Sequence, residues 1–155
     1  MQQQPAGGTR ALGILHFSLL VGQLVFAAIT WYLHSSGTIT LTNLGDHIQY
    51  IVIGVAAAGL LLAALSFYVY RKKIAALKES VQPAKEKLNA YRAACLTRWA
   101  MLEAPVLLAL IAFMLTGNYN LLVLAGAILL LFITTRPTAS KAAAALSLSE
   151  EEVNS

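Results

Sequence analysis

Four apolar stretches, separated by short polar or basic segments, set the pattern of this 155-residue chain. They cover residues 11–33, 47–70, 94–115 and 121–135, with the last clearly shorter than the others. About 20 mainly apolar residues form a helix long enough to cross about 30 Å of hydrocarbon. The pattern predicts an all-α fold, a four-helix transmembrane bundle whose spans alternate in direction.

The segments between the spans differ sharply in character. Residues 1–10 form a short terminal segment, 34–46 is a polar loop, and 116–120 is a tight turn. Residues 71–93 are basic and rich in helix formers, and a new helix is expected to start near Pro83 and to run unbroken into the third span. The tail, 136–155, contains an alanine-rich helical stretch and ends in glutamates that are expected to be solvated and disordered.

The positions of the basic residues predict the orientation. The eleven Lys and Arg residues occur before span one, between spans two and three, within the first turns of span three, and after span four. The other two connections contain none. The positive-inside rule therefore places both termini and the central loop in the cytoplasm.

Composition narrows the class of protein and its chemistry. Hydrophobic residues make up 58% and charged residues 12% of the chain, against about 25% charged in typical globular proteins. The net charge of +4 comes from basic residues that lie beside or between the apolar stretches. Membrane topology places basic residues there, so nucleic acid is not an expected partner. The single cysteine excludes an intramolecular disulfide.

No motif or residue pairing indicates an enzyme or a cofactor. The chain has no HExxH, Walker or G-x-S-x-G motif. His34 and His47 lie near the outer surface, where solvated or capping roles are favoured over haem ligation. Asp46 is expected to cap the second span. We therefore expect no metal, no cofactor and no catalytic residue.

Polar residues inside the spans are the candidate site. An acid in a span is costly and tends to face protein, water or a cation. At 1.5 Å per residue, Glu103 and Arg136 lie about 21 Å and about 24 Å below the outer turn. We predict a polar cluster of His16, Glu103 and one of Arg98 and Arg136, near the cytoplasmic face. Such a cluster would lock helices together, or it would hold a titratable proton or a ligand.

Three further features of the spans bear on packing. His16, Gln23 and Thr30 recur every seven residues and therefore share one face of span one. Pro105 removes a backbone hydrogen bond in span three and is expected to kink the helix beside Glu103. Small residues in span two, which allow close approach of neighbouring helices, recur at three- and four-residue spacing: Gly54, Ala58, Gly59, Ala63 and Ala64.

The second half of the chain resembles a recurrent type of small four-span bacterial membrane protein with no assigned activity. The likeness covers residues 91–148 and rests on Glu103, the turn 116–118 and the stop at 136–138. It implies a bacterial inner membrane and no mechanism. A likeness to the proteolipids of rotary ATPases is weaker, because their glycine-rich helix is missing.

Two classes of function follow. The first is a non-enzymatic structural or accessory membrane component, embedded in the lipid bilayer and associating with itself or with a partner membrane protein. The alternative is a small transporter or an ion- or proton-conducting subunit that uses Glu103 as its intramembrane acid.

Overall fold

Six helices make up the part of the chain that the computed structural model describes, residues 8–39 and 47–154, and no strand occurs there. They are α1 Gly8–Ser35, α2 His47–Glu79, α3 Ala84–Thr116, α4 Tyr119–Thr134, α5 Ala139–Leu146 and α6 Glu150–Asn154. The all-α fold class is confirmed. Asp46, expected as a cap for the second span, lies outside the described residues.

Three of these helices, α1, α2 and α3, are each long and apolar enough to cross a membrane. The fourth, α4, has 16 residues and is about 24 Å long at 1.5 Å per residue. It joins α5 through a bend of 74° and counts as a fourth span only if the bent pair is taken as one. Helix α4, which forms from the fourth apolar stretch, is therefore the shortest of the four long helices, as the sequence predicts.

Helix α3 forms the centre of the fold and contacts all five other helices. Half of its most apolar window is buried, against 17% for the corresponding windows of α1 and α2. Its fully buried side chains include Trp99, Leu102, Val106 and Phe113, spaced by three, four and seven residues along one face. Helices α1 and α2 are thus peripheral and direct most of their surface away from the protein.

Helix α1 is arranged with its polar side chains inside and its apolar side chains outside. His16, Gln23 and Thr30 are 3%, 1% and 1% exposed, whereas Ile14 and Phe17 are 61% and 65% exposed. Water would favour the reverse arrangement, because burying polar groups and exposing apolar ones both raise the free energy. Hydrocarbon surroundings favour the observed one, since polar side chains hydrogen-bond inside the bundle.

Helices α2 and α3 form a hairpin that is longer than a bilayer is thick. Each has 33 residues and so spans about 50 Å, against about 30 Å of hydrocarbon. α2 runs on through the basic residues 71–73, and α3 begins directly after Pro83 and continues to Thr116. The predicted helix start near Pro83, and its unbroken passage into the third span, are confirmed.

Gly59 of α2 lies close to side chains of both α3 and α4. A methyl group placed there would lie 3.3 Å from Ile128 Cδ1 and 3.6 Å from Pro105 Cβ. Gly54, on the same helix, has nothing within 4 Å of such a methyl group. Of the small residues in span two, Gly59 and Ala63 are the buried ones, and the others lie towards the surface.

The turn between α3 and α4 has the tight form expected from its sequence. Gly117 adopts a left-handed conformation with φ 68°, and its N–H donates to Phe113 O at 2.7 Å. Glycine takes this conformation without steric strain. The Asn118 side chain accepts from the N–H of Asn120 at 3.0 Å and caps α4.

The tail folds back onto the bundle, which corrects the expectation of a disordered end. The alanine-rich stretch forms α5, as predicted, and buries Ala142, Ala143 and Leu146 in the core. Val153 of α6 is also buried. Ser149 and Glu152 form a capping box: the Ser149 N–H donates to the Glu152 carboxylate at 2.8 Å, and the Glu152 N–H donates to Ser149 Oγ at 3.2 Å.

Candidate functional site at the α4–α5 corner

Helix α4 ends at Thr134, and side chains donate hydrogen bonds to three of the four backbone carbonyls of its last turn, those of Leu131, Phe132 and Thr134. The last four carbonyls of any helix lack partners within the helix, and leaving them bare in hydrocarbon costs several kcal/mol each. Thr134 Oγ1 donates to Leu131 O at 2.7 Å. Lys141 Nζ reaches back from α5 and donates to Thr134 O at 3.3 Å and to Arg136 O at 3.1 Å.

The carbonyl of Phe132 is the most heavily bonded group at this corner. It accepts from Thr135 Oγ1 at 2.6 Å and from Thr135 N–H at 2.9 Å. His16 of α1 lies with its Nε2 atom 3.0 Å from the same oxygen. A carbonyl oxygen can only accept, so His16 Nε2 carries a hydrogen and donates it. A residue of α1 therefore caps the end of α4.

Aromatic packing fixes the His16 ring in place. The ring stacks on Phe132 with centroids 4.6 Å apart and an interplanar angle of 10°. It also meets Trp99 of α3 at 5.1 Å and 62°, an edge-to-face geometry. Because Phe132 belongs to α4 and Trp99 to α3, this one side chain ties three helices together near the α4–α5 corner.

A groove of about 750 Å³ opens beside this corner, between the start of α1 and the bend after α4. Arg10 and Arg136 both line it, and His16 forms part of its wall. The start of α1 and the end of α4 therefore lie at the same end of the bundle. At the opposite end of α1, aromatic side chains pack against the residues around the α3–α4 turn. The ring centroids of Trp31 and Tyr119 are 5.9 Å apart.

The polar face of α1 is longer than sequence reasoning recognised. Thr9 precedes His16 by seven residues and is also buried, so the heptad series has four members. Thr30 Oγ1 donates to Phe26 O at 2.7 Å within its own helix. Gln23, in contrast, is buried with neither its amide nitrogen nor its amide oxygen hydrogen-bonded. Thr9 could have been found by extending the seven-residue spacing one step.

Arg98 and Glu103 lie on different sides of α3. The guanidinium of Arg98 stacks over Phe67 at 4.2 Å and Tyr70 at 4.6 Å, both on α2. Five residues of α-helix turn through about 500°, which leaves Glu103 about 140° away from Arg98. Glu103 is half-buried at the edge of the face of α3 that contains Trp99.

Five polar residues inside the spans were candidates for the cluster: His16, Gln23, Arg98, Glu103 and Arg136. Of these, His16 and Arg136 line one groove. On α3, His16 contacts Trp99, and Glu103 lies one helical turn after Trp99. On α1, Gln23 lies two helical turns after His16. Among the described residues Glu103 forms no ion pair with either arginine. Pro105 lies inside α3, which is continuous through it, with its ring turned towards α2. The joint cluster stays a prediction.

The corner depends on residues that sequence reasoning did not single out: Phe132, Thr135 and Lys141. The consecutive threonines before Arg136-Pro137 carry a signal, because threonine hydroxyls readily bond to carbonyls of the preceding turn. Nothing in the sequence links Phe132 to His16. Within residues 8–39 and 47–154, no group of three or more His, Cys, Asp and Glu side chains comes together to hold a metal ion.

The apolar helices are those of a helical, multi-pass membrane protein: three are long and apolar enough to cross a membrane, and a fourth span results only if the bent pair α4 and α5 is counted as one. Comparisons with protein-family models, with curated proteins and with solved structures find no match. Any statement of function must therefore come from the residues and their geometry.

Proposed function

We propose that the chain crosses a bacterial inner membrane four times, with both termini and the end of the α2–α3 hairpin in the cytoplasm. The resemblance of residues 91–148 to small four-span bacterial proteins supports the choice of membrane. The distribution of Lys and Arg supports the orientation. The shared groove of Arg10 and Arg136 supports a common side for the start of α1 and the end of α4.

Within that membrane, we propose that the protein is a non-enzymatic structural or accessory component. The α2–α3 hairpin carries this proposal. Both of its helices continue beyond the apolar spans, and the part of the hairpin beyond the spans is basic. Between residues 71 and 93 it has seven basic side chains and two acidic ones, Glu79 and Glu86. The basic residues are Arg71, Lys72, Lys73, Lys78, Lys85, Lys87 and Arg92.

A two-helix extension of this kind suits binding better than chemistry. Its apolar side chains are used in packing: Ile74, Leu77 and Leu88 lie against the main core. The cations remain at its surface, where they attract acidic surfaces over about 8 Å at physiological salt. In the membrane, α1 and α2 present the apolar faces on which a second copy or another membrane protein would pack.

The mass of the protein purified in mild detergent tests this role. We expect a native mass that corresponds to a homo-oligomer, or to a stoichiometric complex with another membrane protein. Charge reversal at Lys78 and Lys85 should weaken a complex formed through the hairpin, whereas an oligomer formed through the apolar faces should withstand it. A stable monomer that retains no partner would contradict the accessory role.

The alternative, a small proton- or ion-conducting subunit, is favoured by one observation. Glu103 lies in the apolar helix α3, is half-buried, and has no hydrogen bond or ion pair with any described residue. An acid left unpaired within a span is a candidate proton carrier. Because four spans are few for a path through one chain, this alternative requires an oligomer.

Proton flux into vesicles separates the two proposals. For a conducting subunit we expect flux from the wild type and its loss on Glu103→Gln, with the oligomer intact. For an accessory protein we expect no flux from either. Loss of assembly on Glu103→Gln would instead identify the acid as a packing group.

A further inference from the structure

We propose that the groove at the α4–α5 corner is a binding site for the head group of an anionic phospholipid, with Arg10 and Arg136 holding the phosphate. This inference goes beyond the proposed function, because it requires neither a protein partner nor a titrating Glu103. It depends on the chain lying in a membrane and not on the direction in which it crosses.

The groove is lined by positive charge. Both arginines line the groove, and no aspartate or glutamate is among the described residues of its lining. Among the described residues, neither guanidinium has a hydrogen-bond or ion-pair partner. Arginine presents a planar fork of donors that fits two phosphate oxygens. Two such groups facing one cavity without a counter-ion are complementary to a phosphodiester.

The rest of the groove lining is largely apolar. Ile14, Phe17 and Leu20 of α1 line the groove on one side, and Ile133 of α4 lines it on the other. Ile14 and Phe17 belong to the outward, lipid-facing surface of α1. The groove therefore has two cations in one part and apolar side chains in another. A phospholipid has the matching order, with a charged head group followed by apolar acyl chains.

One wall of the groove is held in place by a hydrogen bond and by packed rings. His16 lies in that wall, and its position is set by the hydrogen bond to Phe132 O and by the stacked rings. Lys141 holds the bend between α4 and α5 through two carbonyls, which fixes the backbone at Arg136. A volume of about 750 Å³ lies within the range of about 300–1,000 Å³ usual for small-molecule sites.

Native mass spectrometry of the full chain in detergent tests the proposal. The protein is titrated with phosphatidylglycerol, with phosphatidylcholine of the same acyl chains, and with glycerol phosphate. We expect one phosphatidylglycerol per chain, bound more tightly than phosphatidylcholine. Arg10→Gln and Arg136→Gln should each weaken binding by about tenfold, the effect of losing one charge-assisted hydrogen bond.

The control removes two charges elsewhere. Lys72→Gln with Lys85→Gln lowers the net charge as much as the two arginine substitutions do, and should leave phosphatidylglycerol binding unchanged. Phe17→Ala should weaken phosphatidylglycerol and leave glycerol phosphate unaffected. Since neither guanidinium bonds to the described protein, the arginine variants should melt as the wild type does.

Three results would overturn the proposal. The first is equal binding of phosphatidylglycerol and phosphatidylcholine by the wild type, a comparison that needs no variant. The second is an equal loss of affinity in the lysine control, which would mean attraction by net charge alone. The third is glycerol phosphate binding as tightly as the lipid, which would make the groove a site for a soluble anion.

Discussion

Loss of the hydrogen bond from His16 to Phe132 O, at the end of α4, is predicted to lower the free energy of unfolding. In His16→Phe the ring remains, and with it the contacts to Phe132 and Trp99, but the donor to Phe132 O is lost. Hydrogen bonds between membrane helices contribute about 0.6 kcal/mol on average and at most about 1.7 kcal/mol. Thr135 still donates to the same carbonyl, so we expect a loss towards the lower value.

A second substitution measures the ring itself. His16→Ala removes the hydrogen bond and two aromatic contacts, each of which contributes about 0.5–1.5 kcal/mol. We therefore expect His16→Ala to lower the free energy of unfolding by about 1–3 kcal/mol more than His16→Phe does. His47→Phe is the matched control, because His47 is exposed at the start of α2 and should change stability by less than about 0.5 kcal/mol.

The measurement is the free energy of unfolding in mixed micelles, with sodium dodecyl sulfate as the denaturant and tryptophan fluorescence as the signal. Trp99 touches His16 and reports directly on the corner. If His16→Phe is as stable as the wild type, the Phe132 carbonyl does not need His16 as a third donor, and the predicted contribution of this hydrogen bond is refuted. If His16→Ala is no less stable than His16→Phe, the predicted contribution of the aromatic contacts is refuted.

Three further predictions concern other parts of the fold. Gly59→Leu should lower the free energy of unfolding by about 1–3 kcal/mol through overpacking, whereas Gly54→Leu, which meets open space, should not lower it. Gln23→Met should raise the free energy of unfolding by about 1 kcal/mol, because it removes an unpaired buried amide; a decrease would mean that water or a ligand binds the amide. The Ser149 donors hold the pKa of Glu152 below its ordinary value of 4.5, so the capping box contributes stability above that pH and loses it as pH falls through the lowered pKa. The protection factors of the α6 amides, which correct for the intrinsic pH dependence of exchange, should accordingly fall in acid, and Ser149→Ala should lower them already at neutral pH.

Much of the helical architecture could be predicted from the sequence because the signals are local. Span lengths, the turn at Gly117 and the helix start after Pro83 each depend on fewer than about 25 neighbouring residues. The seven-residue series on α1 is local as well, and three of its four buried members were recognised. In each case the residue types themselves carry the structural preference.

The α4–α5 corner could not be predicted because it depends on contacts between distant parts of the chain. His16 and Phe132 are 116 residues apart, and no periodicity relates one to the other. The same holds for the return of α5 and α6 onto the bundle. Which of Arg98 and Arg136 would meet Glu103 could not be predicted for a different reason, since depth in the membrane says nothing about which side of a helix a residue occupies.

The central claim is that the chain crosses the membrane four times, and α4 is the shortest of the four proposed spans. The most direct test is therefore whether Ser147, which follows α4, lies on the opposite side of the membrane from Asn118, which precedes it. Single cysteines are introduced at Gly37, Lys78, Asn118 and Ser147 in a Cys95→Ala background, and labelled in intact cells with a reagent that does not cross the membrane. We predict labelling at Gly37 and Asn118, and protection at Lys78 and Ser147 until the membrane is opened. Labelling of Ser147 together with Asn118 would contradict the account, since α4 would then enter the membrane and return.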